Sequence, residues 1–249
     1  MIFVVFVFLL GLIIGSFLNV VIYRLPEGKS VVWPGSFCPE CGIRLKALDL
    51  IPVLSYVFLK GRCRYCNSQI SPVYPAVELL TGFLFVLVYM KYGLTLQTLT
   101  GIVLTSLLIP AAIIDIKKGI IPNKITYPGV VAGLALSFTG IGVKNSLAGA
   151  ASLAAVYLLA AVLSRGGMGG GDVKLAAVIG AFTGLKGALA TFILSSLAGG
   201  IWALFLLATG KGGRKTEVRF GPFLAVSAWI SFMFADEILF YYLGGWRCF

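Results

Sequence analysis

Apolar positions run almost unbroken through most of this chain, and polar positions are gathered into a few stretches between them. Long apolar runs occupy 1–23, 73–91, 94–114, 123–143, 145–164, 172–185, 187–208 and 221–243. A helix needs about 20 apolar residues to cross a bilayer, so the pattern predicts an all-α polytopic membrane protein with about eight transmembrane helices. The run at 172–185 is the shortest of them. The connections are short, as compact helix bundles prefer, and no internal repeat is evident. One long polar segment, 24–72, interrupts the pattern after the first run. The expected organisation is a first span at 1–23, a small cytosolic insertion at 24–72, and a membrane helical bundle over 73–249. The first run lacks a basic leading region and a small-residue cleavage site, so it reads as a retained span, not a signal peptide. Gly11 and Gly15 form a G-x-x-x-G face for helix packing, and Asn19 suits an interhelical hydrogen bond. Pro122 suits the start of the fourth span.

Composition agrees with this reading. Of the 249 residues 59% are hydrophobic and 12% are charged, where soluble domains carry about a quarter charged residues. The formal charge of +11 would otherwise suggest nucleic acid. Its distribution points to membrane topology instead, and no nucleic-acid partner is expected. The stretches 24–72, 115–124, 165–174 and 209–220 hold 16 of the 20 basic residues; Lys91, Lys144, Lys186 and Arg247 are the other 4. Basic loops stay in the cytosol. The N-terminus is therefore expected outside the membrane and the polar insertion on its cytosolic side. There is no histidine, so acid–base chemistry near neutrality falls to carboxylates, thiols or lysines.

The insertion carries Cys38-Pro39-Glu40-Cys41 and Cys63-Arg64-Tyr65-Cys66, two C-x-x-C motifs with 21 residues between them. Four thiolates at this spacing match a structural zinc site. Paired disulfides and a redox motif are the alternatives. A reducing cytosol disfavours disulfides, and a redox centre needs only one pair. A four-cysteine zinc site is closed, so its expected role is to hold the insertion's fold. Cys248 falls on the outer side without an assigned role.

The candidate chemistry lies in two acids at span ends. Asp172 follows Gly166-Gly167-Met168-Gly169-Gly170-Gly171 where an apolar run begins, and Asp115 stands where another ends. Glycines admit close backbone approach, and ionisable residues at a membrane boundary are costly and usually functional. The plainer reading is a flexible loop with Asp172 as a helix cap. Two carboxylates sharing a proton can activate water and protonate a scissile carbonyl. Their separation of 57 positions in the chain leaves their meeting in space an expectation. Helix polarity alone makes Asp172, at a helix start, the ionised member and Asp115, at a helix end, the neutral one. Glu78, inside the second span, is a candidate helper or a buried partner for a base.

Taken in order, several stretches resemble those of bacterial type IV prepilin peptidases, the leader peptidase/N-methyltransferases of the G-x-G-D aspartyl family. They are Gly15 to Pro26, the two C-x-x-C motifs with Ser55-Tyr56 and Gly61-Arg62, Asp115 with Ile121-Pro122-Asn123, Gly169 to Lys174, and Phe220 to Phe223. The resemblance implies that Asp115 and Asp172 are the catalytic aspartates. Asn123, Gly171 and Lys174 within these stretches, together with Glu78 from its place in the second span, are the candidate supporting or substrate-binding residues. The resemblance implies prepilins and pseudopilins as substrates within membrane lipid, cleaved at the cytosolic face after a glycine. It also implies N-methylation of the new N-terminus with S-adenosylmethionine, for which no motif is readable here. A proton-coupled transporter, a scaffold docking through its zinc loop, and a related G-x-G-D protease with another substrate are the rival readings.

Overall fold

The computed structural model describes residues 1–138, 140–164, 168–209 and 219–243. Arg165, Gly166, Gly167, Lys211, Arg214, Lys215, Arg247 and Cys248, all used in the sequence reading, lie outside the described residues. The chain forms two compact units, Met1–Thr98 and Leu99–Phe249.

The first unit is built on α1 (Ile2–Arg24) and α3 (Val73–Tyr92). The glycine face of α1 lets the two backbones touch: a Cβ at Gly11 would lie 2.6 Å from the Gly82 Cα. Asn19 sits one turn beyond Gly15 and donates from Nδ2 to the Tyr74 carbonyl at 3.0 Å, the interhelical bond expected of it. Arg24 ends α1, and its guanidinium donates to the carbonyls of Ser30, Pro34 and Gly35 at 3.2, 2.6 and 3.0 Å. That clamp folds the entry of the polar insertion back on the helix. Within the insertion only a five-residue helix, α2 (Leu54–Phe58), and two short 3₁₀ turns are regular.

The second unit holds nearly all of α4 (Leu96–Lys118), then α5 (Asn123–Ser137), α6 (Val143–Leu163), α7 (Gly170–Ala208) and α8 (Gly221–Leu243). Helix α5 is shorter than the run at 123–143 suggests. Gly140 and Gly142, the latter at φ +84°, turn the chain into α6. The 39 residues of α7 would reach roughly 58 Å as one helix, about twice the hydrocarbon thickness of a bilayer. Gly184, at φ 66° and ψ −170°, interrupts them. That break falls within two residues of the boundary expected between the runs ending at 185 and starting at 187. Counting both halves of α7 gives the eight apolar helical segments expected. Among the described residues six helices are long and apolar enough to cross a membrane, with α7 counted once and the 15-residue α5 not included. No strand forms among them beyond two isolated bridges.

Helices α6 and α7 meet through small residues, as lipid-embedded helices do. A Cβ at Gly149 would lie 2.5 Å from the Gly180 carbonyl oxygen. Several buried polar groups of this unit pair across helices: Ser146 Oγ donates to the Ala181 carbonyl and Tyr157 bonds the Ser195 hydroxyl, each at 2.6 Å, and Trp229 Nε1 donates to Thr105 Oγ1 at 3.1 Å.

Candidate active site and metal centre

The four cysteines of the insertion converge. Each C-x-x-C opens a turn of the same construction. The N–H of Cys38 bonds the Ile43 carbonyl and the N–H of Gly42 returns to Cys38; Cys63 with Ser68 and Asn67 repeat the pattern. Bridges Phe37–Arg44 and Arg62–Gln69 close the two turns at the same offset. Gly42 and Asn67 occupy the equivalent left-handed positions, at φ 70° and 58°, residue types that tolerate that conformation.

The four Sγ atoms lie within 4.8 Å of one another, and Cys38 Sγ is 3.8 Å from Cys66 Sγ. A tetrahedron of 2.3 Å zinc–sulfur bonds has edges of roughly 3.8 Å, whereas a disulfide needs about 2.05 Å. All four thiols are free. The Cys41 N–H holds the Cys38 thiol down to about 6 despite burial, with the Glu40 N–H assisting. The Ile43 N–H favours a Cys41 thiolate, but burial and the adjacent thiols push that group up to about 11. The cluster could hold a divalent metal ion, whose charge would favour the thiolate form of all four cysteines. Asp49 braces the turns. Its carboxylate accepts Arg64 Nε at 2.7 Å, Tyr65 Oη at 3.0 Å and the Lys46 N–H at 3.1 Å.

The second unit brings the two aspartates together. Asp115 lies in the last turn of α4 and is 6% exposed; Asp172 lies in the first turn of α7 and is 8% exposed. They are close enough for the charge on Asp115 to act on Asp172. Ile121, just past α4, touches the start of α7, where a Cβ at Gly171 would lie 3.0 Å from the Ile121 Cβ. Asn123 and Lys174 join across the same contact, Nζ donating to Oδ1 at 2.8 Å, with the ammonium 5.5 Å from the Tyr127 ring centre. Glu78 belongs to the first unit, where its Oε2 accepts the Val53 N–H at 2.8 Å.

The structure adds contacts to which the sequence reading assigned no role. Gly221, the first residue of α8, donates its N–H to Asp115 Oδ2 at 3.0 Å. A Cβ there would lie 2.7 Å from the same oxygen, so a side chain at this position displaces the carboxylate. Tyr157 of α6 is buried near Asp172 and packs against Phe220, with ring centres 5.7 Å apart. Asp172 Oδ1 is buried without any hydrogen-bond partner; among the described side-chain atoms only Ser231 Oγ shares that condition. Buried polar atoms are nearly always paired, and this carboxylate oxygen is an exception to that rule.

Fold and site together define a multi-pass, all-helical membrane protein with a buried carboxylate pair and a four-thiol module. Sequence comparison agrees. Residues 9–92 match the bacterial peptidase A24 N-terminal domain, and residues 102–204 match the type IV leader peptidase family. A prepilin leader peptidase/N-methyltransferase of Myxococcus xanthus is 43% identical over 86% of this chain and 67% of its own length. Proteins of the same name from Pseudomonas putida and Bacillus subtilis are each 36% identical, covering 92% and 95% of this chain and 90% and 96% of their own. The chain belongs to the type IV leader peptidase family. No solved structure matches it.

Proposed function

We propose that this protein is a membrane-embedded aspartic endopeptidase that removes the leader of type IV prepilins and pseudopilins and then N-methylates the exposed residue. The observation that carries the proteolytic reading is the pair Asp115 and Asp172, buried together with one oxygen of Asp172 left bare. Family membership supports it and sets aside the transporter and scaffold readings.

In this mechanism Asp115 removes a proton from water, whose oxygen attacks the scissile carbonyl carbon. Asp172 protonates the carbonyl oxygen through its free side, giving a neutral tetrahedral diol. The diol collapses as a proton passes to the leaving nitrogen. This reverses the roles drawn from helix polarity alone. Asp115 does end α4, but the start of α8 supplies it with an N–H through Gly221, and such a donor stabilises a carboxylate. Asn123, Gly171 and Lys174 hold the start of α7 against the segment after Asp115 and so set the separation of the pair.

Cys38, Cys41, Cys63 and Cys66 would hold a zinc ion that secures the insertion and takes no part in cleavage. S-adenosylmethionine, when bound, supplies the methyl group. The charge asymmetry supports an N-terminus outside the bacterial inner membrane, with the insertion and both aspartates at the cytosolic face. A basic prepilin leader then meets the site from the cytosol while its apolar segment stays in lipid. The division into a first span at 1–23, an insertion at 24–72 and a helical bundle over 73–249 belongs to the same reading.

The test is cleavage of a prepilin peptide by the purified full-length protein, with products sequenced by mass spectrometry. Asp115→Asn and Asp172→Asn should each abolish cleavage, because a proton-sharing pair works as a unit. Retained proteolysis in either variant sinks the aspartyl mechanism. Cleavage confined to peptides unrelated to prepilins would instead identify a related protease with another substrate.

A further inference from the structure

Within the first unit a cavity of about 360 Å³ is lined by α1, the cysteine turns and the start of α3. Small-molecule sites range over roughly 300–1,000 Å³, so it is of ligand size. Tyr23, Tyr56 and Tyr74 contribute to its wall, with Arg24 and Glu78. Glu78 is 7% exposed, and among the described residues no lysine or arginine pairs with it. A buried carboxylate without a cation is costly, and this one is held in place at a further cost. Val53, whose N–H it accepts, sits at φ 61°, a conformation that strains a β-branched residue and that clusters at ligand sites. Arg24 uses N–H groups on three backbone carbonyls and carries the opposite charge on the same wall.

The wall thus offers an acid without a cationic partner, a fixed guanidinium and three aromatic rings. Aromatic rings and a carboxylate together favour cations, and the guanidinium favours a carboxylate. A ligand satisfying all three is small, carries both charges and has a flat aromatic portion. We propose that this cavity binds S-adenosylmethionine, with Glu78 against its positive charge, Arg24 toward its carboxylate and the tyrosines around its adenine. The proposal rests on the N-methyltransferase reading above and gives that activity a location within residues 16–78. The one other cation that the proposed chemistry brings is the amine of the cleaved substrate, and the test separates the two.

The experiment is calorimetric titration of S-adenosylmethionine and S-adenosylhomocysteine into the full-length protein in detergent, with photocrosslinking of radiolabelled S-adenosylmethionine and peptide mapping. The wild type should bind saturably, and the crosslink should fall within residues 16–78. Glu78→Gln should weaken binding about tenfold or more, a change of about 1.4 kcal/mol. Leu50 lines the cavity and is 41% exposed, so Leu50→Trp fills it from a tolerant position and should also weaken binding. Circular dichroism and gel filtration confirm folding of each variant. Unchanged affinity in folded variants, or a crosslink within 99–249, overturns the site while leaving the methyltransferase reading intact. Loss of peptide-amine binding in Glu78→Gln with cofactor affinity preserved also overturns it. A wild type that neither binds the cofactor nor methylates a pre-cleaved peptide overturns the methyltransferase reading itself.

Discussion

Gly221 controls Asp115 through a backbone N–H in a space that admits no side chain. Gly221→Ala should push the carboxylate aside and lower the single-turnover cleavage rate about 100-fold, the usual effect of displacing a catalytic group by about 1 Å. Cleavage within a few-fold of wild type would mean that the contact is incidental. Asp115 and Asp172 were legible as acids at span ends beside unusual backbone. Gly221 was not, because a main-chain donor 106 residues away leaves no mark in residue type. Asp49 makes a residue-scale prediction about pH. Burial pushes its carboxyl up, but the Lys46 N–H, Arg64 and Tyr65 outweigh it and hold the group below the usual carboxylate range. A depressed folded-state value stabilises the insertion above the ordinary carboxylate pKa, near 3.9. That stabilisation is lost as pH falls through the folded value. Asp49→Asn should therefore raise protease sensitivity of 24–72 at neutral pH, with its difference from wild type vanishing in acid. A constant difference across pH would show that the contribution is not electrostatic.

At the scale of elements, the two cysteine turns are one hydrogen-bonded unit used twice, each bringing two thiols to the proposed metal centre. Cys63→Ser should lower bound zinc from one per chain to a fraction, measured by elemental analysis, and expose 24–72 to protease. Its effect on cleavage should be smaller than that of losing either aspartate. Pure, unchelated wild-type protein without metal would refute the centre. The C-x-x-C spacing made this module readable in advance, since ligand spacing is a local property. Gly184 was readable only as a gap between apolar runs. Its positive φ, and the approach of Asn145 to within 2.8 Å of a Cβ built there, come from packing against α6. Gly184→Ala should cost about 1–2 kcal/mol from the left-handed conformation alone, and thermal melting in detergent should fall accordingly. The extent of α5 was misjudged because apolar residues continue past Ser137, while the turn at Gly140–Gly142 ends the helix.

For the whole molecule, the two compact units separate the proposed chemistries. Asp115→Asn, inactive in cleavage, should still methylate a pre-cleaved peptide at close to the wild-type rate. Loss of both activities together would argue for a shared centre. Orientation is readable from charge, because basic loops resist transfer across the membrane whatever the helices do. An impermeant thiol reagent should label Cys248 in intact cells and reach Cys38 or Cys63 only after permeabilisation and metal removal. The reverse pattern would invert the molecule. Helix number was thus open to the sequence, since lipid sets the apolar length of each segment separately. The meeting of Asp115 with Asp172 was not, because only packing among α4, α7 and α8 brings them together.

The bare oxygen of Asp172 also has a pharmacological consequence. An unpaired buried polar oxygen carries a penalty of about 1–3 kcal/mol, which a hydrogen-bonding group on a bound molecule relieves. A peptide mimic with a secondary alcohol in place of the scissile amide should therefore bind more tightly than its deoxy counterpart, by roughly 5- to 150-fold. The advantage should disappear in Asp172→Ala, making the paired alcohol and deoxy compounds a chemical probe of that one atom.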